Sequence, residues 1–414
     1  MMKQFLTILF AATCAVGNAQ SAHDTMAPFG FATCTNRTAT GYGVTGGGAT
    51  TPAEAHALKE KKVVTMLSNG AAMDSEILNA ITENDVVIFD GSNGDFIVKE
   101  YVILSELQDK TLLGINNAKF STQWHATTDD IQALEDAGVS SMSTGGDGGT
   151  LSNGQSVREQ AELNSRQIMI NRYNDQTEWW RKSGVFFVKG CSNLIIRNIT
   201  FLGPGAVDLG GADLVSITEN SQHIWIDHCD FADGQDGNMD ITYYSDFITV
   251  SWCVFHYTDR SYMHQNTNLC GSSDSRTGDD DKLSVTWAYN HWSKGCAARM
   301  PMARFGRFHL LNNYYDCTGN KTACMNPRLK SETLIEGNYF DASLTNVYES
   351  KDATQVIWRS NNSIANTSVT YPVTDDETPT DALVPYPYTI IPTADVPSEV
   401  GNNAGATLFT KTAQ

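Results

Sequence analysis

The chain has 414 residues, and its 47 acidic residues outnumber its 28 lysines and arginines, so the net charge is −19 at pH 7. A charge of this sign argues against the broad basic surface with which proteins bind nucleic acid nonspecifically, and we expect no nucleic-acid partner. An anionic substrate would need local arginines or a metal ion between the two negative partners. A chain of this length usually forms two or three domains, unless it grows by repeating one structural unit.

Residues 1–19 have the pattern of a secretory signal peptide, with Lys3 near the start, an apolar run over residues 5–16 and small residues before Gln20. We predict cleavage after about Ala19 and a secreted, extracellular mature protein. No later apolar run approaches the roughly 18 residues that a membrane-spanning helix needs, so we expect no membrane partner.

Eight cysteines remain once Cys14 is removed with the signal peptide. An even number in an exported protein is compatible with disulfides, although the sequence leaves their connectivity open. Cys317 and Cys324 are close enough in sequence to close a local loop. No Cys-x-x-Cys pair or Cys/His cluster indicates a zinc site.

Six segments of eight residues recur along the chain, and each is rich in β-forming residues and ends in an aromatic residue. Their spacing of 23 to 37 residues is too irregular for a propeller but suits a helix of stacked parallel strands whose turns vary in length. The longest coil carries the polar insertion GSSDSRTGDDDK. The segments are LIIRNITF (194–201), IWIDHCDF (224–231), ITVSWCVF (248–255), VTWAYNHW (285–292), FHLLNNYY (308–315) and TLIEGNYF (333–340).

The residues two places before these terminal aromatics predict an internal column. Successive coils stack about 4.8 Å apart, so equivalent side chains lie above one another. Amides in such a column can pass hydrogen bonds along the axis, whereas two stacked cysteines form either a thiol stack or a disulfide. The alternative is that each asparagine only marks a turn. The column consists of Ile199, Cys229, Cys253, Asn290, Asn313 and Asn338.

Further coils and two irregular regions complete the predicted organisation. We expect coils at DVVIFDG, EYVILSEL, DKTLLGIN and GVFFVKG. Residues 121–183 are polar and predict a long excursion with helical patches at DDIQALEDAG and REQAELNSRQIMI. Residues 343–414 predict an irregular tail packed along the helix. Residues 20–414 would thus form a single all-β domain.

A group of acidic residues predicts a cation site. Asp236, Asn238 and Asp240 share one face if DGQDGNMD is extended, and Asp213 lies one coil earlier. Clustered carboxylates raise one another's pKa unless a cation neutralises them, and an all-oxygen cluster in an exported protein suits Ca²⁺. The alternative is a solvated Asx-turn loop.

Arg299 and Arg304 flank Pro301 in the stretch ARMPMARFG. Pro301 removes a backbone donor and interrupts regular strand pairing. Two guanidinium groups on a bent segment can clamp the carboxylate of a uronate, because each binds a carboxylate through two hydrogen bonds. The alternative is a pair of surface arginines bound to nearby aspartates.

Other catalytic arrangements are weaker. No serine lies in a G-x-S-x-G elbow. His228, His264 and His309 lie in separate β segments without the spacing of metal ligands, which favours structural roles.

The motifs IWIDHCDF, DGNMDITYYSDFITVSWCVF, NLCGSSD and RMPMARFGRFHLLNNYY occur in an order that resembles the pectate lyase family. The resemblance runs from about residue 41 into the tail and is strongest over 184–340. It implies a right-handed parallel β-helix that cleaves polygalacturonate by calcium-dependent β-elimination, leaving 4,5-unsaturated ends. By position, it implies calcium ligands at Asp213, Asp236 and Asp240, a catalytic base at Arg299, and substrate contacts at Arg304, His264 and Gln265.

Two departures from the family pattern concern charge. A basic residue is usual where this chain has Gln265 and Asn266, so one cationic substrate contact is missing or comes from Arg260 or Lys282. Gly211 stands where some members have a further acidic calcium ligand. The resemblance therefore implies weaker binding of the cation.

Three functions follow from these patterns. The leading one is a secreted, monomeric lyase that acts on polygalacturonate with Ca²⁺. A pectin lyase acting on methyl-esterified chains would leave the acidic residues without a purpose, and a non-catalytic polyuronate-binding β-helix would not need both arginines. Because a guanidinium in water stays protonated far into the alkaline range, a base at Arg299 requires transient deprotonation in an alkaline medium.

Overall fold

The computed structural model describes residues 22–138, 152–154, 157–173, 179–207, 212–317, 320, 322–369 and 383–409. These residues wind repeatedly through three parallel sheets of seven, ten and nine strands, which we call sheets I, II and III. Each regular coil passes from sheet I to sheet II and then to sheet III. The predicted parallel β-helix is confirmed.

The strands have the following bounds. Sheet I contains Val102–Ser105, Phe186–Lys189, Val215–Thr218, Met239–Ile241, Leu269–Cys270, Met302–Ala303 and Asn326–Pro327. Sheet II contains Val63–Leu67, Val86–Asp90, Gln108–Ile115, Ser192–Arg197, Gln222–Asp227, Asp246–Ser251, Ser284–Ala288, Arg307–Leu311, Glu332–Glu336 and Gln355–Trp358. Sheet III contains Phe96–Val98, Lys119–Thr122, Thr200–Leu202, Asp230–Ala232, Val254–His256, His291–Trp292, Tyr314–Tyr315, Tyr339–Phe340 and Ser363–Ile364.

Short elements lie outside these sheets. An antiparallel pair of strands, Cys34–Asn36 and Ala39–Thr40, precedes the first coil. The α-helices are Pro52–Ala57, Asp74–Glu83, Thr128–Asp136, Val157–Tyr173 and Val396–Asn403. The 3₁₀-helices are Gly30–Thr33, Gly91–Asn93, Trp179–Lys182, Thr277–Asp279 and Thr393–Asp395.

The terminal aromatics of the six segments stack along the interior. Phe201 and Phe231 have ring centroids 5.0 Å apart, and Phe231 and Phe255 are 5.1 Å apart. Trp292, Tyr315 and Phe340 continue the column with centroid spacings of 4.8 and 4.5 Å. These spacings are those of neighbouring parallel strands, so the alignment on terminal aromatics identified the coils correctly.

The predicted amide ladder is also present. The backbone N–H of Asn290 donates to Asn313 Oδ1, and that of Asn313 donates to Asn338 Oδ1, each at 2.9 Å. Asn362 extends the ladder by one coil, because its Oδ1 accepts from the Asn338 N–H at 2.9 Å. All four side chains are buried, so these bonds satisfy amide groups that would otherwise be costly inside the helix.

The described cysteines are buried free thiols, all eight of them. Cys229 and Cys253 therefore form a thiol stack in the interior column, and Cys317 and Cys324 form no disulfide loop. Residues 1–19 lie outside the described residues, so the signal peptide stays a prediction.

The two irregular regions follow the predicted pattern with one correction. Both helical patches of the excursion are α-helices, Thr128–Asp136 and Val157–Tyr173. Beyond residue 343, however, Gln355–Trp358 and Ser363–Ile364 pair with the preceding coil. The β coils therefore continue to residue 364, and the boundary predicted at 343 is wrong. The sequence pattern missed this last coil because it lacks the terminal aromatic that marks the others. The tail packs on the helix, where Leu383, Val384 and Tyr386 join a cluster with Phe31, Leu334 and Ile357.

Candidate active site

The stretch ARMPMARFG contributes one strand to sheet I. The strand, Met302–Ala303, pairs with Leu269–Cys270, and Arg299 and Arg304 lie before and after it. Both arginines line a cleft of about 410 Å³. The other polar residues that line this cleft are Asn266, Thr322, Asn326, Arg328 and Glu349.

A β-bulge presents Arg299 to the cleft. Asn266 is bridged to Ala298 and Leu269 is paired with Met302, so the segment that leads into the strand and carries Arg299 has one more residue than its neighbour over the same length. Arg299 itself has a left-handed backbone, with φ of 59°. Bulges re-aim side chains and are common beside active sites. Among the described residues, no partner forms a hydrogen bond or ion pair with the Arg299 guanidinium.

Arg304, in contrast, is held from two sides. Its Nε donates to Asp274 Oδ1 at 2.5 Å, and its Nη1 donates to the Gly271 carbonyl at 2.8 Å. Asp274 Oδ2 also accepts from Arg328 Nη2 at 3.5 Å. Burial lowers the pKa of Arg304, and the bond to Asp274 offsets part of that effect. Arg304 is therefore a fixed cation at the edge of the cleft.

Arg328 is the cleft cation that sequence reasoning missed. Sheet I places it beside Arg304 in the following coil. The same coil spacing that aligned the repeats could have found it. The two residues expected to supply a missing charge lie elsewhere, since Arg260 donates to the Gly203 carbonyl at 3.0 Å and neither Arg260 nor Lys282 lines the cleft.

Two carboxylates and a carbonyl converge in front of Gly237. A Cβ at residue 237 would come within 3.0 Å of Asp213 Oδ1, 3.3 Å of the Asn266 carbonyl oxygen and 3.4 Å of Asp240 Oδ1. Asp213 reaches this point because Ser216 pairs with Asp240 in sheet I, which stacks the two coils. Three oxygens brought this close together are donors of the kind that Ca²⁺ prefers.

The two converging carboxylates have raised pKa values. Burial raises the pKa of Asp213 to about 7 with a further contribution from Asp236, while the Ser216 hydroxyl and Arg299 act in the opposite direction. Burial and then the charge of Asp213 raise the pKa of Asp240 well above its ordinary value. A bound cation would remove both the desolvation cost and the repulsion.

The third predicted ligand, Asp236, is turned towards a histidine. His264 Nε2 lies 2.8 Å from Asp236 Oδ1, and the side chain of His264 is 5% exposed against 41% for Asp236. His264 therefore contacts and orients this carboxylate, and its predicted contact with substrate stays a prediction. Asn266 lines the cleft in place of Gln265, whose carbonyl accepts from the Ala297 N–H at 3.0 Å. The substrate role of Gln265 stays a prediction.

The structure brings the predicted calcium ligands to one corner without closing a site. In the described part of the chain, no group of three or more His, Cys, Asp or Glu side chains is arranged to hold a metal ion. Gly211, the position of a possible further ligand, lies outside the described residues. Within the same ranges, no helix is long and apolar enough to cross a bilayer.

The family model described as pectate lyase matches residues 140–408, well over half of the chain. The chain belongs to the pectate lyase family. It is 41% identical over 138 residues to a pectate trisaccharide-lyase of Thermotoga maritima, covering 32% of this chain and 36% of that protein. It is 34% identical over 232 residues to a probable pectate lyase A of Neosartorya fischeri, covering 53% and 65%. The chain thus matches about a third to two thirds of the length of these curated relatives.

Solved pectate lyase structures have the same fold. A Bacillus subtilis pectate lyase variant superposes with a TM-score of 0.54 at 21% identity, covering 94% of this chain and 99% of that one. A Bacillus pectate lyase in complex with trigalacturonate superposes with a TM-score of 0.55 at 16% identity, covering 92% and 99%. These likenesses confirm the right-handed parallel β-helix.

Proposed function

We propose that this member of the pectate lyase family is a secreted, monomeric, calcium-dependent enzyme that cleaves polygalacturonate by β-elimination. The observation that carries the proposal is the Arg299 guanidinium, which lines a cleft beside two converging carboxylates and forms no hydrogen bond with any of the described residues. The names of the relatives support pectate as the substrate, and one structural neighbour is complexed with trigalacturonate. Secretion rests on the pattern of residues 1–19.

The oxygens of Asp213, Asp240 and the Asn266 carbonyl would hold the calcium ion, with Asp236 beside them. When bound, the cation would neutralise these carboxylates and the uronate carboxylate, which makes the C5 proton more acidic. His264 keeps Asp236 oriented for this arrangement.

Arg299 is the proposed base. Its neutral form would take the proton from C5, the electron pair of that C–H bond would form the C4=C5 double bond, and the C4–O4 bond would break. The leaving oxygen then takes a proton from solvent. Because a guanidinium is protonated at neutral pH, the reaction should be fastest in alkaline solution.

Arg304 and Arg328 are the proposed substrate contacts. The two side chains lie in adjacent coils along sheet I, and both line the cleft. A guanidinium binds a carboxylate through paired hydrogen bonds, so this pair would hold a uronate next to the one that reacts. Positioning of this kind lowers the entropic part of the barrier.

The test is the ultraviolet absorbance of the unsaturated product when the mature chain acts on polygalacturonate, with and without a chelator. We expect product only with Ca²⁺, and Arg299→Lys should lower kcat by about 10²- to 10⁴-fold, as expected for loss of a general base. The matched control is Arg307→Lys. Arg307 lies outside the cleft, its side chain is 14% exposed, and its Nη2 is 2.7 Å from Glu332 Oε2.

Each alternative predicts a different result. Product from methyl-esterified pectin that persists in chelator would indicate a pectin lyase. Binding of polygalacturonate without product on either substrate would indicate a non-catalytic protein. If Arg299→Lys retains most of the activity, the base is another group.

A further inference from the structure

The polar insertion in the longest coil forms a loop, residues 271–282, that contacts the preceding coil. The Arg276 guanidinium lies 3.7 Å over the ring of Tyr243, and the Tyr244 N–H donates to Asp279 Oδ1 at 2.7 Å. Both tyrosines have left-handed backbones, with φ of 50° and 66°. Non-glycine residues rarely adopt this conformation, so two in succession indicate that surrounding contacts impose it.

This loop places one carboxylate between the two arginines at the edge of the cleft. Asp274 accepts from Arg304 Nε at 2.5 Å through one oxygen and from Arg328 Nη2 at 3.5 Å through the other. The bond from Arg304 lowers the pKa of Asp274, and Arg328 acts in the same direction. Asp274 is therefore ionised at neutral and alkaline pH.

We propose that Asp274 is a specificity-determining counter-ion, which lets the subsite formed by Arg304 and Arg328 accept a neutral, methyl-esterified galacturonate residue as well as a charged one. The inference rests on the proposed function. With Asp274 in place, the three side chains leave a single net positive charge for the substrate. Without it, two guanidinium groups would face the subsite, and a free carboxylate would gain much more than a methyl ester from the added charge.

A simpler role for Asp274 is to brace Arg304. The two roles predict opposite effects on binding. If Asp274 only holds Arg304 in position, replacing it weakens the contact between Arg304 and the uronate. If Asp274 is a counter-ion, replacing it strengthens that contact. The loop anchors at Tyr243 and Tyr244 do not involve Asp274, so replacing its charge should leave the loop in place.

The experiment compares kcat/KM on polygalacturonate with kcat/KM on partly methyl-esterified pectin. Asp274→Asn should raise this ratio by about threefold to tenfold, mainly through a lower KM on polygalacturonate, as expected for one additional partly exposed charge interaction. The change should shrink at high salt, because the added charge is screened. The matched control is Asp280→Asn in the same loop. Asp280 does not line the cleft, and its Oδ2 is 2.6 Å from Lys330 Nζ. This control should leave the ratio unchanged.

An unchanged ratio, or a higher KM on polygalacturonate, would overturn the proposal and identify Asp274 as a brace. An equal rise in the ratio for Asp280→Asn would also overturn it, because the effect would then come from net charge. These results require an active parent enzyme. Absence of product from the parent on both substrates would contradict the proposed function instead.

Discussion

Asp227 and Asp213 are aspartates on the same β-helix, but their surroundings shift their pKa values in opposite directions. Burial alone would raise the pKa of Asp227, but His228 and Arg197 outweigh it and hold the pKa below its ordinary value. Asp213 has Asp236 as its strongest charged neighbour, and its pKa rises to about 7. The sign of the neighbouring charge thus decides whether a desolvated carboxylate is stable in its ionised form.

The Asp227 network is complete within the protein. Arg197 Nε donates to Asp227 Oδ2 at 2.7 Å, and its Nη groups donate to the carbonyls of His23, Asp24 and Thr50 at 2.5 to 3.0 Å. Arg197 therefore fastens residues near the start of the described chain to sheet II. By contrast, Arg299 acts on Asp213 and Asp240 but does not outweigh burial and the neighbouring carboxylates, so both pKa values stay raised. One network balances its buried charge within the protein, whereas the carboxylates of the other raise one another's pKa.

The largest expected effect comes from breaking the complete network. Asp227→Asn leaves the buried charge of Arg197 without its counter-ion, so we expect the free energy of unfolding to fall by about 3–5 kcal/mol. Denaturant titration measures this change. Asp259→Asn is the control, because Asp259 is 99% exposed and pairs with Lys294 at 3.5 Å. Equal stability of the two variants would show that the network contributes nothing.

A smaller effect is expected when His264, which contacts Asp236, is replaced. His264→Gln removes a side chain that pairs with Asp236, and loss of a group that orients a metal ligand typically weakens metal binding by about 10- to 100-fold. The Ca²⁺ concentration for half-maximal activity should rise accordingly. His256→Gln is the matched control, since His256 pairs with Asp230 at 2.9 Å on sheet III. A wild-type calcium requirement in His264→Gln would show that Asp236 needs no orientation.

The smallest effect concerns stability and pH. A carboxyl whose pKa is raised in the folded state contributes stability below its unfolded pKa and loses it as pH rises through the folded pKa, here about 7 for Asp213. In chelator, the parent protein should therefore melt at a lower temperature at pH 8 than at pH 5. Asp213→Asn should raise Tm at pH 8 by roughly 2–4 °C and flatten this dependence. Two results together would contradict repulsion between Asp213 and Asp236: a parent Tm that rises between pH 5 and pH 8 in chelator, and a Tm of Asp213→Asn at pH 8 that is no higher than that of the parent.

Much of the architecture could be predicted from local patterns. The aromatic that ends each segment and the asparagine two places before it identify the coils, because every coil puts the same position inside the helix. Asn362 was missed because its coil lacks the terminal aromatic, although it continues the same ladder. The tail boundary was misplaced for the same reason.

The site could be predicted only in part. Arg299, Asp213 and Asp240 belong to recognisable motifs, and the structure brings them to one side of sheet I. Arg328 belongs to no motif and reaches the cleft through coil stacking. His264 was predicted as a substrate contact, which stays a prediction; its contact with Asp236 follows from no motif and is visible only in the structure.

The sequence by itself determined the repeating unit, the residues inside the helix and the motifs of the candidate site, because these depend on spacing along the chain. Tertiary structure decided which charges meet. Asp274 lies 30 residues from Arg304, and Asp227 lies 30 residues from Arg197. The Asp274–Arg304 pair lies at the edge of the cleft, whereas the Asp227–Arg197 pair is fully buried. This difference depends on which coil and which turn each side chain faces. Electrostatic interactions depend on distance in space and on desolvation, and neither can be read from the order of residues.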